Sequence, residues 1–278
     1  MKSFICLLFI CNLFITTSAQ KIHINTFIGA ANYYGDLQSK RYTFNQAKLA
    51  FGLGLSYEIS DNFFIRGILS RAAVSADDKL NPQTRVRNLN FTTAITEAQL
   101  AGEYYFRSLD EYSISPYLFA GVAVFHFNPY TKDTSQNTFY LQPLSTEGQG
   151  FYLDRKPYNL NQIAIPFGGG IKLALSDNIH VGMEIGLRKL FTDYLDDVST
   201  TYIPANLLSD KRGSKAVDLA YRGYELKGGP PYPTGDNRGG ANFKDWYYFT
   251  ALTASFRIGG SGRIGKYQSE LGCPTRVY

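Results

Sequence analysis

Apolar side chains fall on every second position over stretches of ten residues and more, and few folds accept that pattern at that length. From Gln46 to Glu58 one face carries Ala47, Leu49, Phe51, Leu53, Leu55 and Tyr57, while Lys48, Ala50, Gly52, Gly54 and Ser56 lie on the other. The same alternation runs from Ile163 to Leu175, from Ile179 to Arg188 and from Trp246 to Ile258. Strands of soluble sandwiches are typically about 5–6 residues long, whereas a strand crossing a bilayer at a tilt needs roughly 9–11. The length therefore predicts an all-β, eight-stranded antiparallel transmembrane barrel of the outer-membrane type. Its strands are expected near 22–34, 46–58, 62–76, 88–107, 114–128, 160–175, 179–192 and 243–259. The fifth has two apolar faces. The fourth slips phase between Ile95 and Ala98, as a bulge or a strand leaving the bilayer would do. No stretch shows a convincing helical period.

The connections sort in the same way. Those after strands 2, 4 and 6 are short: Ile59-Ser60-Asp61-Asn62, Ser108 to Ser113, and Ser176-Asp177-Asn178. Those after strands 1, 3, 5 and 7 are long, near 35–45, 77–87, 129–159 and 193–242. Strict alternation of short periplasmic turns and long external loops is a property of outer-membrane barrels. Eight strands leave a lumen narrow enough for side chains to fill. Lys48, Glu58, Lys172, Glu184, Arg188 and Arg257, with Arg66 and Glu103, are placed inward and read as a paired network, not an open channel. Composition agrees: 44% hydrophobic, 18% charged, 21 Tyr, 20 Phe and 26 Gly. That balance excludes a disordered chain and argues against a typical soluble enzyme. A mean hydropathy of −0.19 is too polar for a helical membrane protein.

The N-terminus reads as a signal peptide over residues 1–19. Lys2 precedes the apolar run Phe4 to Ile15, and Thr16-Thr17-Ser18-Ala19 supplies small residues for cleavage before Gln20. Such a run reaches only ~18 Å as a helix, short of a ~30 Å hydrocarbon core. The barrel then occupies 20–259 and a periplasmic tail 260–278. Cys6 and Cys11 leave with the signal, so Cys273 is the remaining thiol. The net charge of +5 falls by one with Lys2, which is too little and too scattered for a nucleic-acid partner.

Candidate chemical sites are sparse. His23, His126 and His180 lie on different strands without metal-ligand spacing, so no metal and no cofactor are expected. Gly168-Gly169-Gly170 sits mid-strand and lacks the helix that a phosphate loop requires. Asp193, Asp196 and Asp197 stand at the root of the longest loop, either as a solvated loop base or as a grip on divalent cations bound to lipopolysaccharide. His126 is the one histidine placed for an external catalytic set, and no Ser has a nucleophile-elbow pattern around it. No enzyme is expected.

Several segments carry a resemblance. They are Gly29 to Leu37 (GAANYYGDL), Ala98 to Phe106 (AQLAGEYYF), Pro116 to Pro129 (PYLFAGVAVFHFNP), Leu141 to Gly150 (LQPLSTEGQG), Phe191 to Val198 (FTDYLDDV) and Gly272-Cys273-Pro274. As a set they resemble the PorG-like outer-membrane barrels of the Bacteroidetes type IX secretion system. The resemblance implies a non-enzymatic role, tying the periplasmic ring of a PorK-like lipoprotein and a PorN-like protein to the outer membrane. It further implies support of protein export and, in gliding species, of motility. The tail offers a contact with such a ring through Arg263, Lys266, Tyr267, Arg276 and Cys273, the last able to form an intermolecular disulfide. Two other classes stay open. One is a generic small barrel acting as adhesin or envelope stabiliser through loop 193–242 with its Gly228 to Gly235 stretch; the other is a lipid-modifying enzyme.

Overall fold

The computed structural model describes residues 22–38, 40 and 43–258. The expected signal peptide and the tail lie outside them, and with the tail Arg263, Lys266, Tyr267, Cys273 and Arg276. The described chain has strands β1 (Ile22–Tyr34), β2 (Lys48–Ser60), β3 (Phe63–Asp77), β4 (Asn90–Tyr105), β5 (Ile114–Lys132), β6 (Thr138–Tyr140), β7 (Asn161–Ser176), β8 (Ile179–Leu190) and β9 (Trp246–Ile258). Neighbours pair antiparallel in the order β4-β3-β2-β1-β9-β8-β7-β5, and β4 pairs with β5 to close the ring. The eight expected strands are all present, their ends displaced by four residues at most. The three-residue β6 is an addition, pairing with the far end of β5.

The alternation becomes an inside and an outside. Ile28, Leu53, Leu69, Leu100, Val122, Ile171, Met183 and Leu252, one from each barrel strand, point outward and are all more than half exposed. A continuous belt of that kind far exceeds the few hundred Å² of apolar patch that soluble monomers tolerate, so its solvent is lipid. Aromatic side chains flank the belt: Tyr57, Phe63, Tyr104 and Phe106 at the short-turn end, Phe167 and Trp246 towards the other. Among the described residues no helix is long and apolar enough to cross a membrane.

The two ambiguous strands resolve by pleat. β5 turns Tyr117, Phe119, Phe125 and Phe127 inward and Leu118, Val122 and Val124 outward, so its two apolar faces serve core and lipid respectively. β4 has no bulge. Its register with β3 is unbroken from Phe63–Tyr104 to Asp77–Asn90. What changes is the chemistry on either side: from Ile95 upward the inner face carries Ile95, Thr93 and Phe91 and no charge, while Thr92 and Thr96 lie outside. The strand extends beyond the lipid, and the pleat persists while the polarity inverts. The observed register shifts lie at Glu58/Ser60 and Ala174/Ser176, beside short turns.

Inside, ionic tiers close the lumen. Nearest the short turns, Arg257 meets Glu58 at 3.3 Å and Asp110 at 2.9 Å. In the middle, Arg66 bonds Glu103 and Glu184, both at 2.6 Å, and Lys172 lies 3.8 Å from Glu103. Tyr105 and Tyr117 donate to the same two carboxylates. Higher up, Arg188 pairs with Glu97 at 3.1 Å and lies over the Phe249 ring. Glu97 belongs to the phase that the β4 reading lost. Lys48, read as inward, is instead exposed at the upper rim and makes no ion pair among the described residues. Between Asn25, Phe27, Arg66, Lys172, Glu184 and Ser255 only about 10 Å³ is open, at the margin of what one water needs. The glycine triplet serves this packing. A Cβ on Gly168 or Gly170 would meet the carbonyls of Ile185 or Met183 at 2.1 and 2.2 Å and the Phe119 or Tyr117 rings at 2.9 Å.

Above the tiers, Tyr33, Phe91, Ile95, Phe125, Phe127 and Leu190 form an apolar plug. The last long connection also holds two helices, α1 (Ala205–Arg212) and α2 (Ser214–Ala220), joined at Gly213 with φ 86°. The sequence reading had no helix there. At eight and seven residues neither is long enough to display a period, and such helices are held by packing. Leu208, Ala216 and Ala220 bury against Ile203, Phe151 and Tyr152.

Candidate functional site

At the long-loop end the connections fold over the plug into a cap, and three of the sequence segments singled out above meet in it. The Tyr33 hydroxyl donates to Asp196 Oδ2 at 2.6 Å and stands 3.2 Å from Asp245 Oδ1. Asp245 Oδ2 accepts the Leu195 amide, and Asp196 Oδ1 that of Val198. Asp36 accepts the Gly240 amide at 3.0 Å. Glu147 is the centre of the arrangement. It accepts the amides of Ser199 at 2.9 Å and Thr200 at 3.0 Å, the Thr200 hydroxyl at 2.6 Å, and Arg238 Nη1 at 3.1 Å. Asp197 accepts from the Thr146 and Tyr158 hydroxyls and lies 3.6 Å from Arg238.

Six carboxylates thus gather here: Asp36, Glu147, Asp193, Asp196, Asp197 and Asp245. All but Asp36 are buried. Arg238 is the cation inside the group. Arg87 also reaches in, donating to the Asp36 and Arg238 carbonyls, but its charge is matched by a two-pronged pair with Asp78. Burial with so little countercharge pushes Asp193 up to about 7 and Asp197 up to about 6. Burial first and neighbouring carboxylates second hold Asp245 and Asp196 well above the usual range. The solvated loop base is therefore corrected: Asp193, Asp196 and Asp197 are structural acceptors enclosed under the loops. Local pattern carries no signal for that, because the burial comes from segments 39 or more residues away, around Tyr33, Thr146, Tyr158 and Asp245.

The other candidates do not converge. His23 and His180 face each other inside the short-turn end with ring centroids 5.9 Å apart. His126 points out from the wall, where its Nδ1 lies 2.9 Å from Asn161 Oδ1, away from the cap carboxylates. Glu58, Asp61 and Asp110 bring carboxylate oxygens within 4.8 Å of one another at the short turns, and Arg257 already supplies a countercharge to two of them. A cleft of about 480 Å³ opens in the outer side of the cap, walled by Val86, Tyr202, Pro230, Pro231 and Pro233, so the Gly228 to Gly235 stretch forms one of its sides.

A sequence profile described as a domain of unknown function (DUF6089) matches residues 1–202. No curated protein matches the chain in sequence. Among solved structures the chain is similar to Neisserial surface protein A (NspA), at 8% identity and a TM-score of 0.41, over 85% of this chain and 96% of that one. It is likewise similar to the outer membrane protein OprG from Pseudomonas aeruginosa, at 11% identity and 0.40, over 86% and 97%. Ail, the attachment invasion locus protein of Yersinia pestis, gives 9% and 0.40, over 85% and 97%.

Proposed function

We propose that this chain, which belongs to the family described as a domain of unknown function (DUF6089), is a non-enzymatic outer-membrane component of a type IX secretion system that ties a PorK/PorN-like periplasmic ring to the membrane. The observation that carries the reading is the cap. Tyr33, Asp36, Thr146, Glu147, Asp193, Asp196 and Asp197 come from three of the segments on which the resemblance rests, and they bond one another or one another's loops. Barrel closure needs none of these contacts, so a likeness in those segments is a likeness of one particular cap. The ion-filled lumen supports a scaffold over a pore.

With the long loops outside, both ends of the described chain lie on the periplasmic side. The tail 260–278 then reaches the ring, with Arg263, Lys266, Tyr267 and Arg276 as contacts and Cys273 as a possible covalent link. The test is co-purification from native outer membranes of full-length protein and of a truncation after Gly259. The truncated barrel should still insert and fold, and should lose the ring proteins. Non-reducing electrophoresis adds a second readout, a heavier species that collapses with reductant and is absent in Cys273→Ser. Retention of the ring by the truncated form defeats the tail as the contact.

The second reading, an adhesin or envelope stabiliser working through loop 193–242, is favoured by the cleft beside Pro230 and Pro231. It predicts that loss of the tail changes nothing, and that rebuilding residues 228–235 abolishes cell-surface binding.

A further inference from the structure

The outer wall of the barrel is cut by a groove where β7, β8, β9 and β1 meet. Its walls are Tyr34, Phe167, Leu187 and Trp246, its floor includes Tyr248 and Thr250, and its volume is about 580 Å³. It continues past Ile185 and Thr250 into a second hollow of about 710 Å³, where Gly169 leaves room on the outer face beside Ile171, Met183 and Leu252. The pairing register orders these residues by height. Lys189 stands opposite Trp246, Leu187 opposite Tyr248, Ile185 opposite Thr250, and Met183 opposite Leu252.

From Trp246 down to Val181, which stands opposite Ala254, the two hollows cover eight steps of strand, about 27 Å at 3.3–3.4 Å per residue. A strand tilt of roughly 40° reduces that to about 20 Å of depth, two-thirds of a ~30 Å hydrocarbon core. The groove starts at the long-loop end and stops short of Ile179 and Phe256 at the other. At its top the apolar lining ends in cations. Lys189 is exposed beside Trp246 and makes no ion pair among the described residues. Lys244, also exposed, lies where pairing runs on beyond the strands, since the Asp245 amide bonds the Thr192 carbonyl.

We infer that this groove is a specific lipid site, holding an acyl chain of an outer-leaflet phosphoglycolipid of the lipid A type with its phosphate at Lys189 and Lys244. The groove opens at the long-loop end and closes before the short-turn end, so a chain enters it from the outer side, and the lysines place the headgroup there. Aromatic rings at the headgroup boundary suit a ligand that is apolar below and anionic above. The inference rests on the barrel's orientation in the outer membrane and is independent of any export role, so failure of ring co-purification leaves it standing.

The test is native mass spectrometry of the full-length, detergent-purified and delipidated protein, titrated with diphosphoryl lipid A and, separately, with phosphatidylglycerol. Wild type should retain one copy of lipid A at least tenfold more tightly than phosphatidylglycerol. Lys189→Gln should weaken retention about fivefold, since one lysine near an anionic headgroup is worth ~1 kcal/mol. Thr250→Trp, which fills the groove from the lipid side, should abolish the tight copy. Heat-modifiable electrophoretic mobility confirms that each variant is folded. Equal binding of phosphatidylglycerol, absence of a retained copy in wild type, or retention unchanged in both variants would each overturn the inference.

Discussion

Glu147→Ala should open the cap and leave the barrel closed. In the folded protein this carboxylate accepts two buried backbone amides, a hydroxyl and the Arg238 guanidinium, all at 3.1 Å or less. Removing one side of a buried ion pair costs about 3–5 kcal/mol, and each orphaned buried donor about 1–3 kcal/mol. These contributions overlap, because the same relaxation relieves them together, so about 3–5 kcal/mol is the expected loss in cap stability. No lumen tier touches Glu147, so the barrel's heat-modifiable mobility should persist. Limited proteolysis reads the cap. If cleavage follows transient opening, the rate within 191–245 should rise by roughly two to four orders of magnitude. Asp193→Asn is the contrasting variant. Asp193, pushed up to about 7, is already about half protonated at neutral pH, and its hydrogen bond from the Ser199 hydroxyl can be kept by an amide oxygen. It should be neutral or slightly protective. A Glu147→Ala cap as resistant as wild type, or Asp193→Asn equal to it in damage, refutes the assignment of Glu147 as the centre of the cap.

Three further outcomes are expected. The folded-state pKa of Asp193 and of Asp197 is raised to about 7 and about 6, so the folded cap binds more protons than the open chain; its stability is complete below pH ~4 and falls as pH rises through 6 and 7, and loop hydrogen-exchange protection factors, with the base-catalysed intrinsic rate divided out, should be lower at pH 8 than at pH 5.5. In planar bilayers the protein should show no steady conductance, because the lumen leaves about 10 Å³ open beside Arg66; stable open steps would contradict the filled lumen. Gly170→Leu should block closure or cost about 1–3 kcal/mol or more by overpacking, since even a Cβ there meets Met183 O at 2.2 Å, and the yield of heat-modifiable protein measures it.

The barrel was legible because lipid and lumen impose opposite chemistry on alternate residues. Leu53 and Gly54, or Ile171 and Lys172, differ so sharply that strand, face and approximate length follow from the order of residues. Legibility ended where that contrast ended. Above the lipid the inside of β4 is the apolar plug and the outside is Thr92 and Thr96, so the pattern inverted and Glu97, the partner of Arg188, went unrecognised. Lys48 failed for a related reason: parity places it inward, but the rim opens to solvent. The helices α1 and α2 are too short for a period. The cap was the least legible part, because Asp196 and Asp197 are buried by Tyr33, Thr146 and Tyr158, and no local window contains both a carboxylate and its cover. What did point to the cap was the set of segments without a barrel reason to exist.

Charge in the two halves of the molecule follows different rules, and the difference bears on where this protein can respond. In the lumen Arg66, Lys172, Arg188 and Arg257 face Glu58, Glu97, Glu103 and Glu184, each with an opposite charge within 4 Å, and the part-exposed Asp110 joins Arg257 at the short turns. Loss of any one would leave a buried charge uncompensated, so such an interior has a single stable arrangement. The cap has six carboxylates around Arg238, and burial resolves the surplus by holding protons on some of them. Proton binding is therefore coupled to cap closure, and anything outside the membrane that supplies positive charge to the cap should tighten it.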